Sequence, residues 1–190
     1  DTYRADADLQ TTLGDVVGVR IVGFYEDAGS FRDTIESERF GFMPSVAVKL
    51  GDSTRIVYEL EYARQEIPFD RGVVAVNGEL GVIPRSRFLG EPGEGPNVAE
   101  VLGHQIELQH DFSEKWSALV GVNYRDTSLF GTSTEAELTA SRQRLLRDGR
   151  TLTRQRRLRD YDATYFVARA ELASNFSPGY TTPSPRDYPT

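Results

Sequence analysis

Strict alternation between apolar and other residues is the feature that most limits how this chain can fold. Five segments alternate in this way, at residues 16–25, 40–50, 56–62, 104–112 and 116–124. Across them, one row holds 25 positions without a single Asp, Glu, Lys or Arg, while six of the 20 opposite positions are charged. Strand side chains alternate between two faces, whereas a helix repeats every ~3.6 residues. The pattern therefore predicts strands, and two weaker segments at 3–13 and 159–176 bring the expected number to about seven.

The links between these segments alternate in length. Hairpin-type turns stand at residues 14–15, 51–53 and 113–115, whereas long links occupy about 27–34, 67–101 and 131–158. Tight turns on alternate links predict antiparallel strands that pair in sequence order. Short turns on one side and long loops on the other are typical of outer-membrane barrels. We therefore expect an all-β, up-and-down transmembrane barrel wall, present here as a partial barrel or an open curved sheet.

Composition excludes several other classes. The 190 residues include no Cys, which excludes disulfides, Cys zinc sites and thiol catalysis. No apolar run approaches the ~18 residues of a membrane helix, and a net charge of −7 argues against a nucleic-acid partner. A membrane β-barrel remains compatible, because only alternate residues of its strands face lipid. A soluble β-rich protein with the apolar row in its core is the alternative from pattern alone.

Aromatic residues stand at both ends of the apolar row. Five lie next to the long links and three lie beside the tight turns: Tyr3, Tyr25, Phe40, Tyr62 and Tyr124, then Phe112, Trp116 and Phe176. Two such girdles are expected at the two membrane interfaces. The eight steps from Trp116 to Tyr124 span roughly 26 Å along a strand at ~3.3 Å per residue. With a tilt of about 40° this gives roughly 20 Å, close to the apolar band of such barrels.

Two residue pairs could suggest chemistry, and we interpret both as structural. His104 and His110 share a strand face but are about 20 Å apart at strand spacing, too far to share a metal. Glu59 and Glu61 share the opposite face and could perturb each other's pKa values. In a barrel wall they are expected to line the lumen and to pair with Arg or Lys. The sequence predicts no catalytic group, metal or cofactor.

The 131–158 link contains two further patterns. Residues 134–149 combine a capping-box spacing with two leucines and a terminal glycine, which predicts a turn or two of helix: Thr134, Glu137, Leu145, Leu146 and Gly149. Four arginines then follow closely: Arg154, Arg156, Arg157 and Arg159. A basic run in an acidic chain is usually a solvated loop or strand end. On an outer surface it could contact lipopolysaccharide phosphates or an anionic ligand.

An ordered set of short motifs covers most of residues 20–165. The first are Ser30-Phe31-Arg32-Asp33, Phe42-Met43-Pro44-Ser45-Val46, Gly51-Asp52-Ser53-Thr54 and Glu61-Tyr62. The later ones are Pro68-Phe69-Asp70-Arg71-Gly72, Ile83-Pro84-Arg85-Ser86-Arg87-Phe88-Leu89-Gly90-Glu91-Pro92, His110-Asp111-Phe112-Ser113 and Asp148-Gly149-Arg150-Thr151-Leu152. In this order they resemble TonB-dependent siderophore receptors, the ferric-siderophore importers of bacterial outer membranes. The resemblance also makes Pro44, which lacks a ladder donor, an expected strand residue at a bulge.

The resemblance implies a 22-stranded barrel closed by a plug, with a TonB box that contacts the TonB protein. This sequence shows no signal peptide, TonB box, plug or terminal aromatic strand, so we expect an internal barrel segment from roughly the early third. Residues 1–176 would be the partial barrel, with its longest loops at about 67–101 and 131–158. Residues 177–190 would be a Pro-rich turn or loop at the truncated end.

Three functions remain open. The first is part of an outer-membrane receptor that binds a ferric siderophore and imports it with TonB-coupled energy, in contact with membrane lipid and lipopolysaccharide. The second is a small complete outer-membrane barrel with an adhesive or enzymatic role, and the third is a soluble β-rich binding protein. For the first, the loop cations Arg71, Arg85 and Arg87 are candidate contacts for an anionic ferric chelate, although structural roles would explain them equally.

Overall fold

The computed structural model describes residues 1–76, 78–139, 141–143 and 151–175. These residues form seven β-strands and one short 3-10 turn, Pro92–Glu94. The strands are β1 (Thr2–Leu13), β2 (Val17–Gly29), β3 (Glu36–Leu50), β4 (Thr54–Ile67), β5 (Asn97–Ser113), β6 (Trp116–Ala136) and β7 (Arg154–Ser174). The described part of the chain contains no helix long and apolar enough to span a membrane.

The strands make one antiparallel sheet in the order β1-β2-β3-β4-β5-β6-β7. This confirms the predicted up-and-down order. Gly14 and Gly51 have φ of 61° and 70° in the first two tight turns. Glycine adopts this left-handed region without steric cost, which permits so short a reversal. The sheet is open, since β1 and β7 each pair on one side only.

The strand registers join the apolar rows into one continuous face. Ile56 is opposite Leu108, Leu108 is opposite Val120, and Val120 is opposite Ala170. Many large apolar side chains on this face are exposed, including Ile106 and Val120, at 48% and 49%. Among the described residues no side chain is less than 2% exposed, so this sheet has no dry core. A soluble sandwich would cover its apolar face with protein, so the uncovered face favours the membrane interpretation.

The strands next to the long links continue beyond the aromatic girdle, which the sequence did not predict. Tyr124 lies 12 residues before the end of β6 at Ala136, and Tyr62 lies five before the end of β4 at Ile67. The links shorten to residues 30–35, 68–96 and 137–153. On the outward face the residues just past the girdle become charged, as at Arg64, Glu66 and Glu100. In an outer-membrane barrel, strand ends beyond the girdle lie outside the lipid layer, so their outward positions need not be apolar.

The predicted helix is wrong at its start. Thr134, the expected cap, lies inside β6, where it is opposite Arg156. The backbone there follows the extended ladder with β7, and Glu137 comes directly after the strand. The remaining predicted helix residues, Leu145, Leu146 and Gly149, lie outside the described residues, as do Phe176 and the Pro-rich residues 177–190.

Pro44 interrupts the ladder without a bulge. On the β4 side, Phe42 is opposite Tyr62 and Ser45 is opposite Glu59, so the register is the same before and after the proline. The bulge predicted at this position is therefore wrong. The register shift lies instead between Asp111 and Ser113, beside the last tight turn.

Candidate functional site

Polar groups line the inner face of the sheet, the face opposite the apolar one. Glu61 of β4 forms an ion pair with Arg125 of β6 across Gly103, which lies between them in the same cross-strand row. Glu107 and Arg169 meet in the same way across Gly121, at 2.6 Å. A glycine between two strands leaves room for long side chains from either side to lie along the wall. The two glycines therefore permit ion pairs between strands that are not neighbours.

The predicted pairing of Glu59 and Glu61 with Arg or Lys is found for Glu61 only. Glu61 has the expected cationic partner in Arg125. Glu59 instead accepts a hydrogen bond from the Gln105 amide at 3.2 Å.

An arginine cluster lies on the inner face near the long loops. Its centre is Glu135 of β6, whose side chain is 2% exposed. Arg71 Nε lies 2.7 Å from one carboxylate oxygen, and Arg157 Nε lies 2.7 Å from the other. Arg159 donates to the Ser133 hydroxyl, and its guanidinium carbon lies 4.0 Å from the centre of the Phe69 ring. Two cations thus pair with one carboxylate and a third, Arg159, lies on the same face beside Ser133. The Arg71 and Arg157 side chains remain 41% and 47% exposed.

Residues 68–71, which we call the strap, cross the inner face between β4 and the top of β6. Arg71 and Phe69 attach the strap to the wall through Glu135 and Arg159. Asp70 forms an ion pair with Arg32, which is 11% exposed, and also accepts a hydrogen bond from the Gly72 amide at 2.8 Å. The strap is therefore fixed at three successive residues.

Arg32 is the residue that sequence reasoning missed. Besides Asp70, its guanidinium donates to the backbone carbonyl oxygens of Arg85 and Arg87, at 2.6 and 3.3 Å. It thereby joins the 30–35 link to two separate parts of the 68–96 loop. No local motif could have found this role, because it depends on how the two loops fold over each other.

The structure places the three predicted ligand contacts in different surroundings. Arg71 belongs to the arginine cluster. The Arg85 guanidinium lies 5.9 Å from the ring centre of Phe31, which is 66% exposed at the tip of its loop. Arg87 lines a cavity formed by the 68–96 loop and the start of β7. Arg32 links their segments through the backbone, but the three side chains do not form one site.

The basic run of β7 is divided between the two faces of the sheet. Arg157 and Arg159 point inward to the arginine cluster. Arg154 and Arg156 point to the other face, where they hold the loop through Glu91 and Glu94, at 3.1 and 2.8 Å. All four are therefore engaged with acidic, hydroxyl or aromatic groups of the protein itself.

A cavity of about 290 Å³ lies beside these outward contacts and has the opposite charge. Its lining includes several carboxylates together with Phe69 and Phe88: Asp27, Glu36, Glu38, Glu66, Glu91 and Glu94. Like charges repel, so an anion would avoid this cavity and favour the arginine cluster on the inner face.

Glu137, the first residue after β6, is a further ion-paired carboxylate near the long loops. It accepts a hydrogen bond from the Thr139 amide at 2.7 Å and forms an ion pair with Arg142 at 3.1 Å. Hydrogen bonds from Thr139, reinforced by Arg142, lower the pKa of the Glu137 carboxyl below its usual value. The group is therefore ionised at neutral pH and helps to hold the start of the 137–153 link.

Each of the two histidines has a hydroxyl partner on a neighbouring strand. His104 Nδ1 lies 2.8 Å from the Tyr58 hydroxyl, and His110 Nδ1 lies 2.8 Å from the Thr54 hydroxyl. Within the described ranges no group of three or more His, Cys, Asp or Glu side chains could hold a metal ion.

Comparison with solved structures identifies the fold. The fold matches the ferric-catecholate import receptor Fiu of Escherichia coli K12, with a TM-score of 0.82 and 20% identity over 94% of this chain and 30% of Fiu. It also matches the ferric preacinetobactin receptor BauA of Acinetobacter baumannii, with a TM-score of 0.72 and 21% identity over 94% of this chain and 27% of BauA. The described sheet therefore has the fold of part of these β-barrel receptors.

Among curated proteins, the chain is similar to the metal-pseudopaline receptor CntO from two strains of Pseudomonas aeruginosa. Identity to each is 35% over 184 residues, covering 94% of this chain. The chain spans about a quarter of the length of these relatives, at 25%. No family model matches the chain. These relatives confirm the resemblance to TonB-dependent receptors, which are outer-membrane transport proteins and not enzymes.

Proposed function

We propose that this chain forms part of the barrel wall of an outer-membrane receptor that binds a ferric siderophore, or a closely related metal chelate, from the long-loop side. Import of the bound chelate would use energy coupled through TonB, by a plug and a TonB box outside this sequence. The apolar face would contact membrane lipid, and its outward end would contact lipopolysaccharide. The wall itself would perform no covalent chemistry.

The observation that supports this proposal most is the arginine cluster. It lies on the inner face, at the end of the sheet where the long loops are, and it combines three cations with one buried carboxylate. Arginine binds carboxylate and other oxygen anions through a planar, multiply hydrogen-bonding group. An anionic chelate entering from the loop side would meet the exposed parts of Arg71 and Arg157.

Arg85 and Arg87 have a place in the same proposal as outer contacts. Arg85 and the exposed Phe31 form a cation–aromatic surface on the loops. A chelate could meet this surface before it reaches the arginine cluster. On this basis Arg71 is the inner contact, and Arg85 and Arg87 contribute to capture.

A binding experiment tests the proposal in a receptor that carries this chain. The ligand panel would contain metal–pseudopaline, ferric preacinetobactin and a ferric catecholate. We expect Arg157→Ala to weaken binding of the recognised chelate at least tenfold. Arg55→Ala is the matched control, because Arg55 belongs to the same inner face but lies at the tight-turn end of the sheet. Equal affinity of the two variants, or no binding of any chelate by the parent receptor, would contradict the proposal.

A further inference from the structure

A row of polar side chains is buried on the inner face where the strap crosses it. Asn97, Ser133 and Glu135 are only 6%, 3% and 3% exposed. Asn97 is the first residue of β5 and is opposite Ile67, the residue directly before the strap. Its side chain fills the space that a side chain at Gly131 would take. The row therefore extends from the start of the strap to the arginine cluster.

Two members of this row have unmet hydrogen-bonding capacity. Both the amide nitrogen and the amide oxygen of Asn97 are buried and have no hydrogen-bond partner. One Glu135 oxygen also receives no directed hydrogen bond, although Arg71 Nε is 2.7 Å away. Buried polar groups in proteins are almost always paired, and an unpaired one is costly. A conformation that exposes Asn97 and Glu135 to water or to a ligand would remove this cost.

The contacts that close the strap are of a kind that an anion can replace. Arg71 is held by an ion pair with Glu135, and Asp70 by an ion pair with Arg32. A chelate oxygen that takes the place beside Arg71 Nε displaces the Glu135 carboxylate from that position. Loss of that pair removes the link between the end of the strap and β6.

We propose that the strap is a removable cover, and that its opening uncovers a second ligand-binding surface formed by Asn97, Ser133 and Arg159. This surface offers amide, hydroxyl and guanidinium groups, and it takes the anionic or hydroxyl oxygens of a metal chelate. Without ligand, Arg71 holds the strap to β6 through its ion pair with Glu135. When a chelate enters, Arg71 exchanges Glu135 for the chelate. This inference rests on the proposed function, because it assigns the inner site to an anionic chelate.

Thiol labelling tests the cover without any ligand. The chain has no cysteine, so Asn97→Cys in an otherwise cysteine-free receptor gives one reporter beneath the strap. We expect a water-soluble maleimide to label it slowly, and at least tenfold faster when Arg71→Ala is added. Arg71→Lys should restore slow labelling in part, and Asn123→Cys, on the inner face away from the strap, should label at one rate in every background.

Two results of this labelling would contradict the proposal that the strap is a removable cover. One is labelling of the parent Asn97→Cys protein as fast as Asn123→Cys, and the other is no change on adding Arg71→Ala. If Asn97→Cys fails to fold, Ser133→Cys serves as the reporter, since Ser133 is buried in the same row.

A crosslink tests whether opening is needed for binding. Arg32→Cys and Asp70→Cys, joined by a short bifunctional methanethiosulfonate, would fix the strap to the 30–35 link. With metal–pseudopaline as the probe, we expect the crosslink to weaken binding at least tenfold and a reductant to restore it. Unchanged affinity in the crosslinked receptor would overturn the second binding surface. If the uncrosslinked parent binds no chelate, the proposed function and this surface both fail, while the labelling result still decides whether the strap opens.

Discussion

Single glycines on the inner face leave space that side chains of neighbouring strands fill. The Phe24 ring lies over Gly41 on the neighbouring strand, and a β-carbon built at Gly41 would be 2.3 Å from the ring. An aromatic ring over a strand glycine supplies the packing that the glycine lacks. The identity of residue 41 therefore depends on a side chain 17 positions earlier, a relation that only the strand register reveals.

We expect Gly41→Ala to destabilise the folded receptor by about 1–3 kcal/mol, because the added methyl group overpacks against Phe24. Gly18→Ala is the control, since a β-carbon at this inner-face position would meet nothing within 4 Å. The measurement is the midpoint of urea unfolding in detergent or lipid. Equal midpoints for the two variants would show that the ring does not occupy the glycine site.

The two faces of β6 allow a second test with neighbouring residues. Val120 belongs to the apolar face and is 49% exposed, whereas Leu119 belongs to the inner row, opposite Gln109 and Glu171. Val120→Arg should cost about 2–4 kcal/mol of folding free energy into lipid, because a cation at the midplane of the lipid face is poorly solvated. Leu119→Arg should cost much less, and folding equilibria in lipid vesicles measure both. Similar costs at the two positions would contradict the face assignment.

At the scale of elements, β7 joins the sheet to the loops. Its arginines are divided between the faces, so one strand holds Phe69 of the strap on the inner side and residues 89–94 on the outer side. Glu94 is shared, since it receives hydrogen bonds from both Thr134 and Arg156. Arg154 and Arg156, which belong to the basic run, therefore hold the 68–96 loop in place.

We expect Arg156→Ala to loosen the loop around Pro92–Glu94 while the sheet stays folded. Glu94, 9% exposed, would lose its cationic partner and keep only the Thr134 hydroxyl. Limited proteolysis should then cut residues 90–96 several times faster, whereas Arg55→Ala at the other end of the sheet should not change the rate. Cleavage at the parent rate would mean that Arg156 does not hold the loop.

The period-two alternation of strand side chains decides which parts of the sheet the sequence predicts. Period-two alternation follows directly from strand geometry, so the faces, the strand order and the lumen position of Glu61 could be predicted from sequence. Above the girdle both faces of β6 meet water or loops, so the alternation that identifies a strand disappears there. The local pattern at Thr134 therefore also fits a helix cap, and nothing in the sequence alone shows that Glu135, Arg157 and Arg159 gather near Arg71.

At the scale of the whole molecule, the sheet has two unpaired edges, at β1 and β7. Unpaired backbone groups in lipid cost several kcal/mol each, so these edges require further strands. Solved receptors with this fold extend well beyond the matched region, since the chain covers 30% of Fiu and 27% of BauA.

Residues 1–190 expressed alone should therefore neither close a barrel nor import a chelate. Open edges favour association of one sheet with another, so we expect aggregation without detergent. Expression in a receptor-deficient strain, with uptake of a labelled ferric siderophore as the readout, measures this directly. Uptake above background would show that the chain is a complete small transporter and that the receptor-wall account is wrong.

The most direct test of the central claim is which face of the sheet meets lipid in the outer membrane. Single cysteines would be placed at Leu108, Val120 and Val122 on the apolar face, and at Gln109, Leu119 and Asn123 on the inner face. In a receptor that carries this chain, we predict that a lipid-phase quencher reaches labels at the first three positions and that a water-soluble thiol reagent reaches the last three. Loss of this period-two pattern, or its inversion, would contradict the assignment of the sheet as an outer-membrane barrel wall.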